Sequence, residues 1–278
     1  MTASGGALVR WEDAGIAEVV LDRPAAMNAL STAMLTELTK HFTALAADPG
    51  VLVVIVSARG ERAFCAGADL KERAAMSDAQ IMAQRPVFRA TFGALLALPQ
   101  PVIAAVHGFA LGGGCELALS CDVIVADETA VLGLPEVTVG LVPGCGGTAL
   151  LARRVGPGRA AEMIFSGRKV SAAEAAAMGL VDRLAEPGTA REISLTMARQ
   201  IAANSPVAVL AAKRALRNGA GVGLAAALDV EDAAWRTAAT SADRREGIAA
   251  FAQKRRPAWP SVSVTQARTA PDGSSPGV

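Results

Sequence analysis

Two glutamates in apolar surroundings are the residues best suited to chemistry. Glu116 lies between Cys115 and Leu117, two residues after the last of three consecutive glycines at 112–114, and Glu136 sits in the segment GLPEVTVGLVPGCGGT at 133–148. A carboxylate is costly to bury without partners, so its presence in such stretches points to acid/base work. The structural alternative is an acid in a first helical turn, complementing the helix dipole. Glycines let backbone amides approach a ligand closely, and a helix start adds unsatisfied N–H donors with partial positive charge, so the triplet can stabilise a developing oxyanion. Residues three apart share a helix face, which puts Glu116 on the side of Gly113. A second glycine-rich stretch, FCAGADLKE at 64–72, offers the Ala68 N–H, and two donors from separate loops are what an oxyanion hole requires. Taken alone, that stretch is a tight turn with solvated Asp69 and Lys71. The loop 143–147, which contains Gly144 and precedes a helix, adds another cluster of backbone donors.

Other chemistries find less support. Cys65, Cys115, Cys121 and Cys145 form no CxxC pair, and only His41 and His107 could complete a metal site; reduced, mostly buried thiols and no metal are expected. A dinucleotide-binding loop needs an early GxGxxG and an acid about 20 residues on, and Asp122 follows the triplet too soon. His107 reads as a packed turn residue, and the cysteines near the glycines as small fillers rather than nucleophiles.

The elements that must hold these groups alternate in period. Residues 16–21 and 51–56 read as strands, and between them Leu35, Leu38, Phe42 and Leu45 recur at helical spacing, capped by Ser31 or Thr32 and stopped at Asp48-Pro49-Gly50. Strands at 102–106 and 123–126 flank a helix at 113–120. Ser171 and Glu174 mark a capping box for a helix at 172–178 that leads into 180–184. The pattern is that of an α/β domain. After about residue 191 it becomes Ala-rich and helical, with breaks at Ser205-Pro206 and Asn218-Gly219. Three or four helices are expected there, in a layer suited to assembly. The organisation is therefore a core at 1–200, a helical region at 201–262 and a polar, disordered tail at 263–278.

Composition excludes several classes. In 278 residues, 52% hydrophobic and 19% charged, with mean hydropathy +0.35, the chain is too apolar for bulk disorder. With 27 cations against 26 anions and a net charge of +1, nothing favours nucleic acid or an anionic membrane as partner. The uncharged run 99–115 holds His107, Gln100 and four glycines, too polar for a membrane span. No secretory signal is visible, which leads to the expectation of a cytoplasmic protein.

The segments LDRPAAMNAL, FCAGADLK, PVIAAVHGFALGGGCELALSCD, GLPEVTVGLVPGCGGT, FSGRKVSAAEAAAMGLVD and EGIAAFAQKRRPAW resemble, in order and spacing, the enoyl-CoA hydratase/isomerase (crotonase) superfamily. The resemblance covers about residues 8–260. It implies a spiral of repeated strand-strand-helix units with a C-terminal helical region, assembled as a homotrimer or homohexamer. It also implies an acyl-CoA thioester substrate, coenzyme A being part of that substrate and no separate cofactor being needed. By position, Ala68 and Gly113 would donate to the thioester oxygen, and Asp69, Leu70, Lys71 and Gly144 would line the substrate site. Glu116 would activate water and Glu136 would supply the α-carbon proton; family isomerases typically keep only the acid matching Glu136. The same scaffold also carries double-bond isomerases, other CoA-thioester lyases and members reported to bind RNA. Met76, Ile81, Met82, Phe88 and Phe92 are expected to shape the acyl pocket. Gly113→Val is expected to harm catalysis and binding, and Gly114→Ala, one residue into the helix, to be milder.

Overall fold

A computed structural model describes residues 6–13 and 15–262; the tail expected at 263–278 lies outside the described residues. Among the described residues, ten strands and eleven α-helices follow one another in the order β1 (Ala7–Trp11), β2 (Ile16–Leu21), α1 (Thr32–Ala47), β3 (Val53–Ala58), β4 (Ala63–Cys65), α2 (Leu70–Ala74), α3 (Asp78–Leu96), β5 (Val102–Val106), β6 (Phe109–Leu111), α4 (Gly113–Leu119), β7 (Val123–Asp127), β8 (Val131–Gly133), α5 (Gly147–Val155), α6 (Pro157–Ser166), β9 (Lys169–Ser171), α7 (Ala172–Ala177), β10 (Arg183–Ala185), α8 (Ala190–Ala202), α9 (Pro206–Gly219), α10 (Leu224–Ala239) and α11 (Ala242–Ala252). The elements expected from periodicity are present, displaced by up to three residues at their ends. Ser31 caps α1 by accepting from the Met34 N–H, and Ser171 caps α7 by accepting from Glu174. Strand β1 and the three-residue strands β4, β6, β8 and β9 had no sequence expectation.

Those short strands define the architecture. One sheet runs β1-β2-β3-β5-β7-β10 and a second runs β4-β6-β8-β9. The chain therefore visits the large sheet, then the small sheet, then a helix, three times over: β3-β4-α2/α3, β5-β6-α4 and β7-β8-α5. This is the strand-strand-helix spiral. Within it β3, β5 and β7 pair in parallel, as do β4, β6 and β8, so the loops leaving β4, β6 and β8 emerge at one end of the small sheet.

The large sheet is buried on both faces, as parallel sheets are. Val19, Val54, Val56, Ala104 and Ile124 face the main core with α1 and α3, whereas Ile16, Val53, Ile55, Ile103 and Val125 pack under Leu195 and Ala198 of α8. Glu18, fully buried in β2, accepts from Ser57 Oγ at 2.6 Å and from Arg191 Nε of α8 at 2.8 Å. This pair locks α8 across the sheet.

A second polar anchor ties the C-terminal helices to the core. Asp122, at the start of β7, accepts from the Val102 N–H at 2.8 Å and pairs with Lys213 Nζ and Arg217 Nη2 of α9, each at 2.7 Å. Lys213 is only 8% exposed, and burial pushes its ammonium below the ordinary lysine value against the pull of Asp122. Removing one partner of such a pair leaves a buried charge unmatched, at about 3–5 kcal/mol. Asp122→Ala is accordingly expected to lower the unfolding free energy by ~3 kcal/mol in urea titration, with the transition midpoint falling and its slope unchanged.

Candidate active site

The three loops leaving β4, β6 and β8 carry Ala68, Gly113 and Glu136 within three residues of their strand ends. Sequence positions 45 and 23 apart thus become neighbours. Gly67 has φ +100°, and a Cβ placed on it would lie 2.8 Å from Leu111 O and 3.4 Å from Gly113 N, so the first two loops touch backbone to backbone. A Cβ on Gly113 would stand 3.7 Å from Ala68 N. Leu30 fixes the first loop from the other side: its N–H donates to Gly67 O at 2.8 Å, and its carbonyl accepts from Asp69 N at 3.1 Å. The Ala68 N–H between those bonds has no backbone acceptor among the described residues. Gly113, as the first residue of α4, has no intrahelical acceptor for its own N–H. The two free amides are therefore side by side.

Glu116 is 3% exposed. Its Oε1 accepts from Cys145 N at 2.6 Å and Gly147 N at 2.8 Å, which leaves Oε2 as the oxygen available for proton transfer. The loop 143–147 can make this cradle because Gly147 has no side chain; a Cβ there would fall 2.9 Å from Glu116 Oε1 and 2.8 Å from Pro143 Cβ. Burial raises the Glu116 carboxyl above the ordinary glutamate value, while the Gly147 and Cys145 amides and the Arg85 charge oppose the rise. Glu136 opens a 3-10 turn, Glu136–Val139, and its Oε2 is buried with no hydrogen-bond partner among the described residues. Its Oε1 would be 3.2 Å from a Cβ on Gly112. Burial, reinforced by the Glu116 charge, pushes this carboxyl up to about 7. The pair thus holds one carboxyl fixed by amides and one whose Oε2 has no hydrogen-bond partner among the described residues.

Ala68, Gly113, Glu116, Glu136, Leu70 and Gly144 all line one cavity of about 370 Å³. Asp69 and Lys71 do not line it. Asp69 caps α2 through the Lys71 and Glu72 amides and pairs with Arg23 at 3.1 Å; it is not the solvated residue that the turn composition suggested, and burial is outweighed by the Glu72 amide and Arg23, which hold its carboxyl low. Lys71 is exposed. Of the apolar residues expected to shape the pocket, Ile81, Met82 and Phe88 line it, whereas Met76 does not and Phe92 joins the core. Cys65 and Cys115 are fully buried and their thiols are pushed up to about 12 by desolvation, consistent with filler roles. Arg73 and Arg85 also line the cavity. Sequence reasoning passed over them because charged residues on helices α2 and α3 look like solvated faces.

A strand-strand-helix spiral of this kind defines the class of crotonase-fold proteins. The chain belongs to the enoyl-CoA hydratase/isomerase family, whose model matches residues 12–262. It is 44% identical over 247 residues to the putative enoyl-CoA hydratase/isomerase YngF of Bacillus subtilis, covering 89% of this chain and 95% of the relative. It is also 44% identical over 240 residues to the 2,3-dehydroadipyl-CoA hydratase of Escherichia coli, covering 86% and 92%. The crystal structure of an enoyl-CoA hydratase from Bacillus anthracis superposes with TM-score 0.89 at 42% identity, over 91% of this chain and 98% of that one.

The glycine triplet carries a correction. A Cβ on Gly114 would fall on the Cys65 carbonyl oxygen and lie 2.7 Å from its carbon, whereas one on Gly113 would meet only Leu30 Cδ1 at 3.3 Å and Ala68 N at 3.7 Å. Gly114 is therefore the less tolerant position for alanine, because the obstacle is backbone rather than the end of a flexible side chain. Gly114→Ala is expected to destabilise beyond the ~1–3 kcal/mol typical of overpacking, and Gly113→Ala to retain the wild-type unfolding midpoint. Thermal unfolding of the two variants checks the order.

Proposed function

We propose that the protein hydrates 2-enoyl-CoA thioesters to 3-hydroxyacyl-CoA. The observation that carries this reading is the pair Glu116 and Glu136 in one cavity with the Ala68 and Gly113 amides. The thioester oxygen sits between the two N–H groups. Glu116 Oε2 takes a proton from water as its oxygen bonds to the β-carbon, and the π electrons move onto the thioester oxygen, where the amides stabilise the enolate. Collapse of the enolate takes a proton at the α-carbon from Glu136. Glu116 ends protonated and Glu136 ionised, so a proton must return between them before the next turnover. Coenzyme A enters as part of the substrate, and no other cofactor takes part.

Double-bond isomerisation is the second reading, since family members of both kinds share the fold. It moves one proton between two carbons of the same substrate, a task for which a single base suffices. A second buried carboxyl, fixed by two amides, is accounted for by hydration and is superfluous for isomerisation.

Assembly as a homotrimer or homohexamer belongs to the same proposal, with residues 201–262 as the joining region and 1–200 as the catalytic core. Its support is the apolar surface left on the C-terminal helices, where Leu216, Leu224, Trp235 and Phe251 are 67–86% exposed, more than a solvated helix layer normally shows. Sedimentation at micromolar protein should give a trimer or hexamer, and deletion of 263–278 should change neither assembly nor activity; a monomer would reject the assembly.

Glu116→Gln and Glu136→Gln are each expected to lower hydration turnover by at least ~100-fold, the lower range for loss of a general acid or base. The pH profile of kcat/KM should fall as pH rises through about 7, where Glu136 loses the proton it must donate. It should fall on the acid side as Glu116 becomes protonated, above the ordinary glutamate range because its carboxyl is raised. A profile flat across the neutral range would contradict the assignment of Glu136 as the acid.

A further inference from the structure

Two guanidinium groups that the hydration steps do not use, Arg73 of α2 and Arg85 of α3, line the same cavity. Much of the remaining wall is apolar, with Leu70, Ile81, Met82, Phe88, Leu141 and Val142. Elsewhere in the fold, Arg23, Arg154, Arg191 and Arg217 are each matched to a carboxylate. Arg73 and Arg85 form no ion pair among the described residues. Arg85 donates to the Gly144 carbonyl and contacts Cys145 Sγ at 3.7 Å; its charge is felt by Glu116.

Arg73 is held as a preformed fork. Its Nε donates to Gln84 Oε1 at 3.1 Å, and the guanidinium lies 4.9 Å from the Phe88 ring centroid. Gln84 is 5% exposed and is itself fixed by a 2.8 Å bond to Thr32 Oγ1. Both Nη groups of Arg73 lack a partner among the described residues. A guanidinium stacked on an aromatic face and fixed through Nε presents the geometry that pairs bidentately with a carboxylate. Little ordering entropy is left to lose on binding. A purely aliphatic chain packed against the Arg73 Nη groups would strip water from them and give nothing back.

We propose that the acyl chain of the substrate ends in a carboxylate, bound by Arg73 with Arg85 beside it. The inference rests on the acyl-CoA reading of the cavity and narrows it to thioesters of dicarboxylic acids. The competing source of anionic oxygens is the phosphates of coenzyme A itself, which every acyl-CoA carries and which therefore separates from a chain-end carboxylate by direct comparison.

The test is calorimetric binding of a saturated ω-carboxyacyl-CoA and of its methyl-terminated counterpart of equal chain length, over a series of short and medium chains. Saturated thioesters cannot be hydrated, so binding is read whether or not the protein is a hydratase. At the best-fitting length the carboxylate form should bind at least ~10-fold more tightly, as for a charge-assisted hydrogen-bonded pair, and added salt should narrow the gap. Arg73→Met should bring the ratio close to one, and Arg73→Lys, which keeps the charge but not the fork, should restore part of it. Equal affinity of the wild-type protein for both ligands at every length overturns the proposal. So does an Arg73→Met variant that weakens both ligands equally, since the arginine would then be reading the phosphates. Hydration of the matching 2-enoyl thioesters is assayed separately: a protein that prefers the carboxylate ligand but hydrates neither keeps this proposal and loses the hydratase reading.

Discussion

The site depends on one close approach of main chain to main chain, the segment after β4 against the glycine triplet after β6. Gly114 packs against the Cys65 carbonyl with no space for a methyl group, and Gly67 closes on Leu111 and Gly113 from the opposite side. That contact sets the separation of the Ala68 and Gly113 amides. Hydrogen-bond donors aimed at an oxyanion are effective only when their spacing is fixed before charge develops. Here no side chain is involved in the spacing. It is determined by parallel pairing of two three-residue strands and by glycines that let their exits meet.

Placement of the carboxyls follows from the same small sheet. Its third parallel strand, β8, delivers Glu136 beside Gly112, whose N–H donates to Gly133 O at 2.9 Å and so ties the second loop to the third. Glu116 reaches the cavity from α4 instead and is held by the loop ahead of α5. Burial raises both carboxyls, but their partners differ: backbone amides counter the rise at Glu116, and at Glu136 the neighbouring negative charge adds to it. The two carboxyls share one cavity with the amide pair, in surroundings that differ.

The rest of the molecule holds this arrangement rigid. Glu18 with Arg191 clamps α8 over the large sheet, and Asp122 with Lys213 and Arg217 fastens α9 to the start of β7, next to the helix that carries Glu116. Asp122 looked in the sequence like no more than an acid misplaced for a dinucleotide site. Its charged partners lie more than ninety residues further along the chain, so no local pattern announces the network.

The sequence by itself determined the family and most of the large elements. Hydrophobic periodicity, Ser31 or Thr32 and Ser171 as caps, and glycines beside lone acids are local signals, carried by neighbours in the chain. They sufficed to mark Ala68, Gly113, Glu116 and Glu136, which share one cavity. Only the tertiary structure decided the small sheet, because three-residue strands are too short to show a period of two. It alone also decided that Asp69 pairs with Arg23, that Gly114 rather than Gly113 is the tighter glycine, and that Arg73 and Arg85 line the cavity. Each of these depends on which distant backbone or side chain lies opposite, and that is a property of packing between elements rather than of any stretch within one.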